Sequence, residues 1–254
     1  LCAGNYSLTV TDANGCAVSS NEVISGPAAV VINSVSVTDE LCAGDCTGSI
    51  DINASGATLY SIDGINYQTN NVFSNLCANN YTVYIEDANG CSATSPVVVS
   101  SPPPVTIQPL NNSTICIGGS VQLQAICNGG AGSFTYLWDN GATTQTINVS
   151  PTTNQAYCVT GTDLNGCVSN NECATITVNP PLSVQLSNDQ TICNGQSANI
   201  SATGTGGDGG PYTYTWDQGL NPGQNHTVSP TSSTLYTVIL TDGCGTPADT
   251  ASVN

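Results

Sequence analysis

Apolar and polar positions along the chain alternate with a period of two, in short runs, with no 11-residue window carrying a clean helical period. Tyr81-Thr-Val-Tyr-Ile-Glu and Tyr236-Thr-Val-Ile-Leu alternate in this way, as half-buried strands do. Ser120–Ala125, Phe134–Trp138, Thr146–Val149 and Thr175–Val178 supply further short strands. Asn14-Gly15, Asn89-Gly90 and Asn165-Gly166 fall where a tight turn joins the last two strands of a unit. About seven short strands per unit, with turn signals every 8–12 residues, predict an immunoglobulin-like sandwich. The expected fold class is all-β, in tandem immunoglobulin-like or PKD-like sandwich repeats arranged end to end.

The strand pattern repeats. LCAGNYSLTVTDANGC at 1–16 recurs as LCANNYTVYIEDANGC at 76–91, an offset of 75 residues. A second repeat type follows: STICIGGS at 113–120 matches QTICNGQS at 190–197, an offset of 77. SFTYLWDNG (133–141) matches PYTYTWDQG (211–219), and VSPTTNQAYCVTGTD (149–163) matches VSPTSSTLYTVILTD (228–242). Proline-rich joints at Ser101–Pro104 and Asn179–Pro181 separate the units, where proline stiffens the link and offers no ladder donor. The expected organisation is the C-terminal part of a repeat at 1–27, a complete copy at 28–103, and two copies of the second type at 104–180 and 181–254. Because Leu1 opens inside a repeat, the sequence reads as the interior of a longer protein.

Composition narrows the function. The 254 residues include no Lys and no Arg, against 17 Asp and Glu, for a net charge of −17. A surface without cations repels phosphate backbones, which excludes nucleic acid as a partner. No apolar run approaches the ~20 residues of a membrane-spanning helix, so no membrane insertion is expected. Without lysine, the strands cannot be cross-linked by Lys–Asn isopeptide bonds. The 13 cysteines then become the covalent route and point to an oxidising compartment.

DANGC at 12–16 and 87–91, together with Cys-Ala-Gly-Asp-Cys-Thr-Gly-Ser-Ile at 42–50, resembles the SprB repeat of gliding Bacteroidetes. The TICxG, Tyr-x-Trp and SPT…Y motifs of 105–254 resemble the PKD/Ig-like repeats of the same giant surface proteins. The resemblance implies a surface adhesin exported by type IX secretion and moved along the cell during gliding. Cys46, Cys77, Cys127, Cys158 and Cys173 depart from the usual repeat pattern.

Strand positions suggest how the cysteines pair. Cys116 and Cys193 precede the second strand and Cys167 and Cys244 follow the sixth, which in an up-and-down sandwich reads as one end. The pairs expected are Cys116–Cys167, Cys193–Cys244 and, in the first repeat type, Cys42–Cys91. Each closes a loop of about 50 residues, worth roughly 4 kcal/mol by chain entropy. Cys127 and Cys158 read as a pair at the opposite end, and Cys46 with Cys77 by exclusion. Cys2 and Cys16 correspond to Cys77 and Cys91, which puts their partners upstream and leaves Cys173 odd. No cysteine has CxxC spacing, and with one histidine the chain offers little for zinc.

Asp12, Asp87, Asp163 and Asp242 recur ahead of the last turn, and Asp139 and Asp217 recur after Trp138 and Trp216. Such recurrence fits either calcium ligands or turn residues that bond their own backbone. No dense Asp-x-Asp-x-Asp-Gly loop is present beyond the loose Gly206-Gly207-Asp208-Gly209. Trp138 and Trp216, with Tyr136 and Tyr214, read as sandwich core rather than a sugar-stacking platform. His226 stands alone, without a Ser/His/Asp context or a cation to stabilise an anionic transition state. No catalytic residue and no cofactor other than calcium is assigned. The function expected is a disulfide-reinforced extracellular stalk at the cell surface. Its partners are further repeats of the same chain and, through a distal tip, a surface polysaccharide or substratum. The alternative is a carbohydrate-binding or spacer module of a secreted polysaccharide-degrading enzyme.

Overall fold

The computed structural model describes residues 4–26 and 29–254. Every regular element among them is a β-strand. The chain divides into two compact units: Leu1–Thr106 with Asn128–Phe134 and Thr162–Val168, and Ile107–Cys127 with Thr135–Gly161 and Ser169–Asn254.

The first unit opens with an antiparallel pair, Gly4–Thr11 against Ala17–Ile24, closed through Asp12-Ala-Asn-Gly. Six strands then form two sheets. Val31–Thr38, Gly48–Ser55 and Val72–Leu76 make one; Leu59–Ser61, Asn79–Glu86 and Ser92–Val99 make the other. Alternation decides which side chains meet between them: Ile50, Ile52, Val83, Ile85 and Val99 are buried, while Asp51 and Asn53 of the same run are exposed. Gly48 starts its strand because nothing larger fits. A Cβ there would lie 2.7 Å from the Leu76 carbonyl oxygen.

In the second unit, Ser183–Leu186, Ala198–Thr205 and Asn225–Val228 face Thr213–Trp216, Tyr236–Thr241 and Asp249–Val253. The strand order is that of 31–99: first, second and fourth in one sheet, third, fifth and sixth in the other. The core is larger, with Trp216, Tyr214, Tyr236 and Leu240 buried together. The same unit holds a four-stranded sheet ordered Ser113–Ile115, Glu172–Val178, Gln155–Thr162, Thr135–Trp138. Ser113–Ile115 pairs in parallel with the last strand of its repeat, and Val121–Gln124 pairs with Thr146–Val149. Six strands suffice for the sandwiches at 31–99 and 183–253, one fewer than the turn spacing suggests, because a single three-stranded face on each side already covers the core. Immunoglobulin-like sandwiches repeat along the chain.

Candidate functional site: cysteine staples between repeats

Each sandwich has two distinct ends. In the 31–99 sandwich, strand Asn79–Glu86 begins beside Val99 and finishes beside Ser92. The loop 39–47 lies at the end where Val99 leaves: Glu40 N–H donates to the Ser100 carbonyl, and Asp39 Oδ1 accepts from Ser100 N–H at 2.7 Å. The turn 87–91 lies at the other end. Eight strand residues at about 3.4 Å each put roughly 27 Å between the two. We refer to these as the exit and entry ends.

The buried Glu40 shapes the exit loop. Its carboxylate accepts from Gly44 N–H at 3.0 Å and from Ala78 N–H at 2.8 Å. The Ser101 hydroxyl and the Ala78, Gly44 and Cys46 N–H groups together hold its pKa below the usual carboxylate value. Cys46 and Cys77, in the same loop cluster, are bonded to each other.

At the entry end each recurring aspartate caps its own turn. Asp12 Oδ1 accepts from Asn14 and Cys16 N–H, Asp87 Oδ1 from Asn89 and Cys91, and Asp163 Oδ1 from Asn165 and Cys167. Asp242 serves a shortened version of the turn, taking Cys244, Gly245 and Thr246 N–H on Oδ1. These donors lower the pKa of Asp87, Asp163 and Asp242. Cys91 N–H leads at Asp87, Ala131 N–H at Asp163, and the Thr246 hydroxyl at Asp242. Oxygens ringed by N–H donors present the geometry of a turn cap, the second reading of this recurrence. Asp139 and Asp217 are clamps of another kind, accepting from Cys158 and Thr237 N–H across neighbouring strands.

The second oxygen of two of these aspartates reaches a glycine pair. Asp163 Oδ2 accepts from Ala131 N–H, and Asp242 Oδ2 from Asp208 N–H. Just before them, Gly130 N–H donates to the Pro103 carbonyl and Gly207 N–H to the Pro180 carbonyl, which fastens the proline joint to the entry end. Gly129 and Gly206 take φ of +80° and +86° and pack against the Pro104 and Pro181 carbonyls, where a Cβ has no room. These pairs recur at the 77-residue offset, so they were visible in the sequence. Their role was not, because glycine recurrence alone signals only a turn.

The disulfides follow from this two-ended arrangement. Cys42 bonds Cys167, 125 residues away, and Cys116 bonds Cys244, 128 residues away. Both join the exit loop of one repeat to the entry turn of the next, at Cα separations of 5.5 and 6.0 Å. The expected pairs Cys42–Cys91, Cys116–Cys167 and Cys193–Cys244 are therefore corrected. Their members sit at opposite ends of a single sandwich, because the strand between them carries the chain from one end to the other. Cys127–Cys158 is corrected too. Cys158 lies directly opposite Cys173 in the antiparallel ladder and bonds to it. Cys127 is a buried free thiol beside Tyr136, and burial raises its pKa. Cys91 is also disulfide-bonded, and Cys2 lies outside the described residues. Cys16 and Cys193 are exposed free thiols.

Two acid and sulfur clusters, Glu40 with Cys46 and Cys77 and Asp208 with Asp242 and Cys244, include only sulfurs already in disulfides. Trp138 and Trp216 are 1% and 5% exposed and donate Nε1–H to the Thr144 and Gly223 carbonyls. His226 packs edge-on against Trp216 with ring centroids 5.5 Å apart.

Residues 34–72, from the first strand through the exit loop to the fourth, match the family described as the SprB repeat. The chain therefore carries an SprB repeat match within its 31–99 sandwich. Among solved structures, it is similar to the I-band fragment I67–I69 from titin, at 12% identity and a TM-score of 0.45, covering 90% of this chain and 98% of that one. It is also similar to Sidekick-1 immunoglobulin domains 1–5, at 13% identity and TM-score 0.39, over 99% and 66%. The fibronectin(III)-like modules of Clostridium thermocellum CbhA align at 15% identity and TM-score 0.28, over 59% and 93%. No curated protein matches the sequence. The chain is a run of sandwich repeats with disulfides both within and between them.

Proposed function

We propose that this chain is a stretch of the stalk of a bacterial cell-surface adhesin, of the gliding type that the resemblance implies, exported by type IX secretion. The observation that carries this reading is the cross-repeat staple. Bonds from the Cys42 and Cys116 exit loops to the entry turns that follow couple neighbouring sandwiches covalently, and a stalk that transmits force from a tip to the cell needs that coupling. Supporting it, the tryptophans that could stack on sugar are buried in the cores. The region thus acts as reinforced spacer, without catalysis, and recognition of polysaccharide or substratum falls to a distal tip. Immunogold labelling of intact source cells with antibody raised against 34–254 tests it. Label on filaments at the cell surface, removed together with adhesion when the region is deleted, is the expected result. Antigen found only in the soluble secreted fraction with polysaccharide-degrading activity would replace this reading with the enzyme-module alternative.

A further inference from the structure

Among the disulfides whose two cysteines are described, Cys158–Cys173 is the least shielded, and we propose that it is a redox-active site that outside thiols open while the other bonds stay closed. It differs from the staples in what it joins. Cys158 and Cys173 face each other across Gln155–Thr162 and Glu172–Val178, strands already paired in the ladder, so breaking their bond uncouples no repeat. The sister repeat shows this sheet without the bond. At an offset of 79 residues the same two positions hold Thr237 and Ser252, again directly opposite, with their hydroxyl oxygens 3.0 Å apart. Asp217 Oδ1 accepts from Thr237 N–H at 2.8 Å where Asp139 Oδ2 accepts from Cys158 N–H at 3.1 Å. Register and clamp therefore form with no disulfide at this rung. Accessibility separates the bond from the others. Tyr157, Val159, Ala174 and Ile176 are buried, so alternation puts Cys158 and Cys173 on the outer face of the sheet, where Cys173 is exposed and Cys158 half-buried. Each staple keeps one cysteine inside, Cys167 at 8% exposure and Cys116 at 7%. Cys77 is also exposed, but a Glu40 carboxylate oxygen lies within 4.8 Å of both the Cys46 and Cys77 sulfurs. That negative charge repels an approaching thiolate and opposes the departure of a second one. At Cys173 the neighbour is a neutral donor, Asn171 Nδ2, which reaches the sulfur at 4.0 Å. Glu172 falls on the other face of its strand by the same alternation. Exposed disulfides are the ones that exchange with thiols.

The chemistry is thiol–disulfide exchange with a small external dithiol. One thiolate of the dithiol attacks the Cys173 sulfur; the Cys158–Cys173 bond breaks and Cys158 leaves as the thiolate. The second thiolate of the dithiol then attacks the reagent sulfur of the mixed disulfide and expels Cys173. The two protons of the dithiol end on Cys158 and Cys173, so the protein disulfide is reduced to two thiols and the dithiol is oxidised to a cyclic disulfide. Oxidised glutathione reverses the change, and the ladder keeps the two thiols opposite each other for reclosure.

The test uses the purified 254-residue chain, its free thiols first blocked with N-ethylmaleimide. Thiols released by a limiting pulse of dithiothreitol are trapped with a maleimide of different mass and located by peptic peptide mapping. Cys158 and Cys173 are expected to take the label together, roughly tenfold or more faster than Cys46, Cys77 or the staple cysteines, with the far-ultraviolet circular dichroism unchanged. Replacing the pair by the sister residues, Cys158→Thr with Cys173→Ser, should remove the fast phase and leave the remaining rates as they were. Oxidised glutathione added after the pulse should restore the bond between the same two cysteines. Label appearing first at a staple or at Cys46–Cys77, label at every site at one rate, or loss of sheet signal during the fast phase would each overturn the proposal.

Discussion

Cutting the chain at its proline joints separates staples between repeats from loops within them. Consider a protease recognition sequence inserted between Pro102 and Pro103 in one variant and between Asn179 and Pro180 in another. Among the disulfides whose two cysteines are described, only Cys42–Cys167 spans the first joint, and only Cys116–Cys244 spans the second. The cut products are about 10 and 15 kDa in the first case, and about 18 and 8 kDa in the second, of a 25.7 kDa chain. On a non-reducing denaturing gel each cut protein should still run at full mass, and should separate only when reduced. Adding Cys42→Ser should release the fragments at the first joint and leave the second held; adding Cys244→Ser should do the reverse. In the uncut protein, closing loops of 125 and 128 residues is worth about 5 kcal/mol each by chain entropy. At a urea slope of about 2 kcal/mol/M, either serine variant should lower the unfolding midpoint by about 2.5 M. Fragments that part without reductant would refute the staple and restore pairing inside each sandwich.

Other outcomes follow from the same contacts. Trypsin should leave the chain whole even after reduction and unfolding, since it contains no Lys or Arg; any tryptic fragment on a gel would contradict this. Asp87, Asp163 and Asp242 are held below the ordinary aspartate pKa, so the folded chain resists their protonation more than the unfolded chain does. Their contribution to stability should be complete above about pH 4 and fall as acid goes lower. Melts of wild type and Asp163→Asn at pH 7 and pH 3 should converge at the lower pH, and an unchanged gap would disprove the linkage. A chelator should leave the melting temperature unmoved, because the recurring carboxylates are occupied by N–H donors; a fall of several degrees would assign calcium to them. Trp138→Ala should destabilise its sandwich by about 3–5 kcal/mol, read by chemical denaturation.

The strands were legible because one face of each is buried, which forces the two-residue alternation seen at Asn79–Glu86 and Tyr236–Thr241. The turn role of the recurring aspartates was legible as one of two readings, since Asp and Asn bond their own backbone in that spacing. The staples were misread for a geometric reason. Spacing between Cys42 and Cys91 measures chain length, and a strand that runs the full depth of the sandwich turns nearness in sequence into separation in space. Cys158–Cys173 was missed because direct opposition depends on register, which the sequence of a hairpin with a nine-residue connection does not set. The 77-residue recurrence of Gly129-Gly130 at Gly206-Gly207 was the overlooked sign that each repeat receives something at its entry end.

A repeat that carries one exit cysteine and one entry cysteine has a consequence for how such genes change. Loss or duplication of a whole unit by unequal recombination removes or adds one half-bond of each kind, so every remaining junction still finds a match. The junction between Cys42 and Cys167 joins the two repeat types, so units of different sequence can also be reordered without stranding a thiol. Length can drift by whole units over generations while the covalent connection stays unbroken.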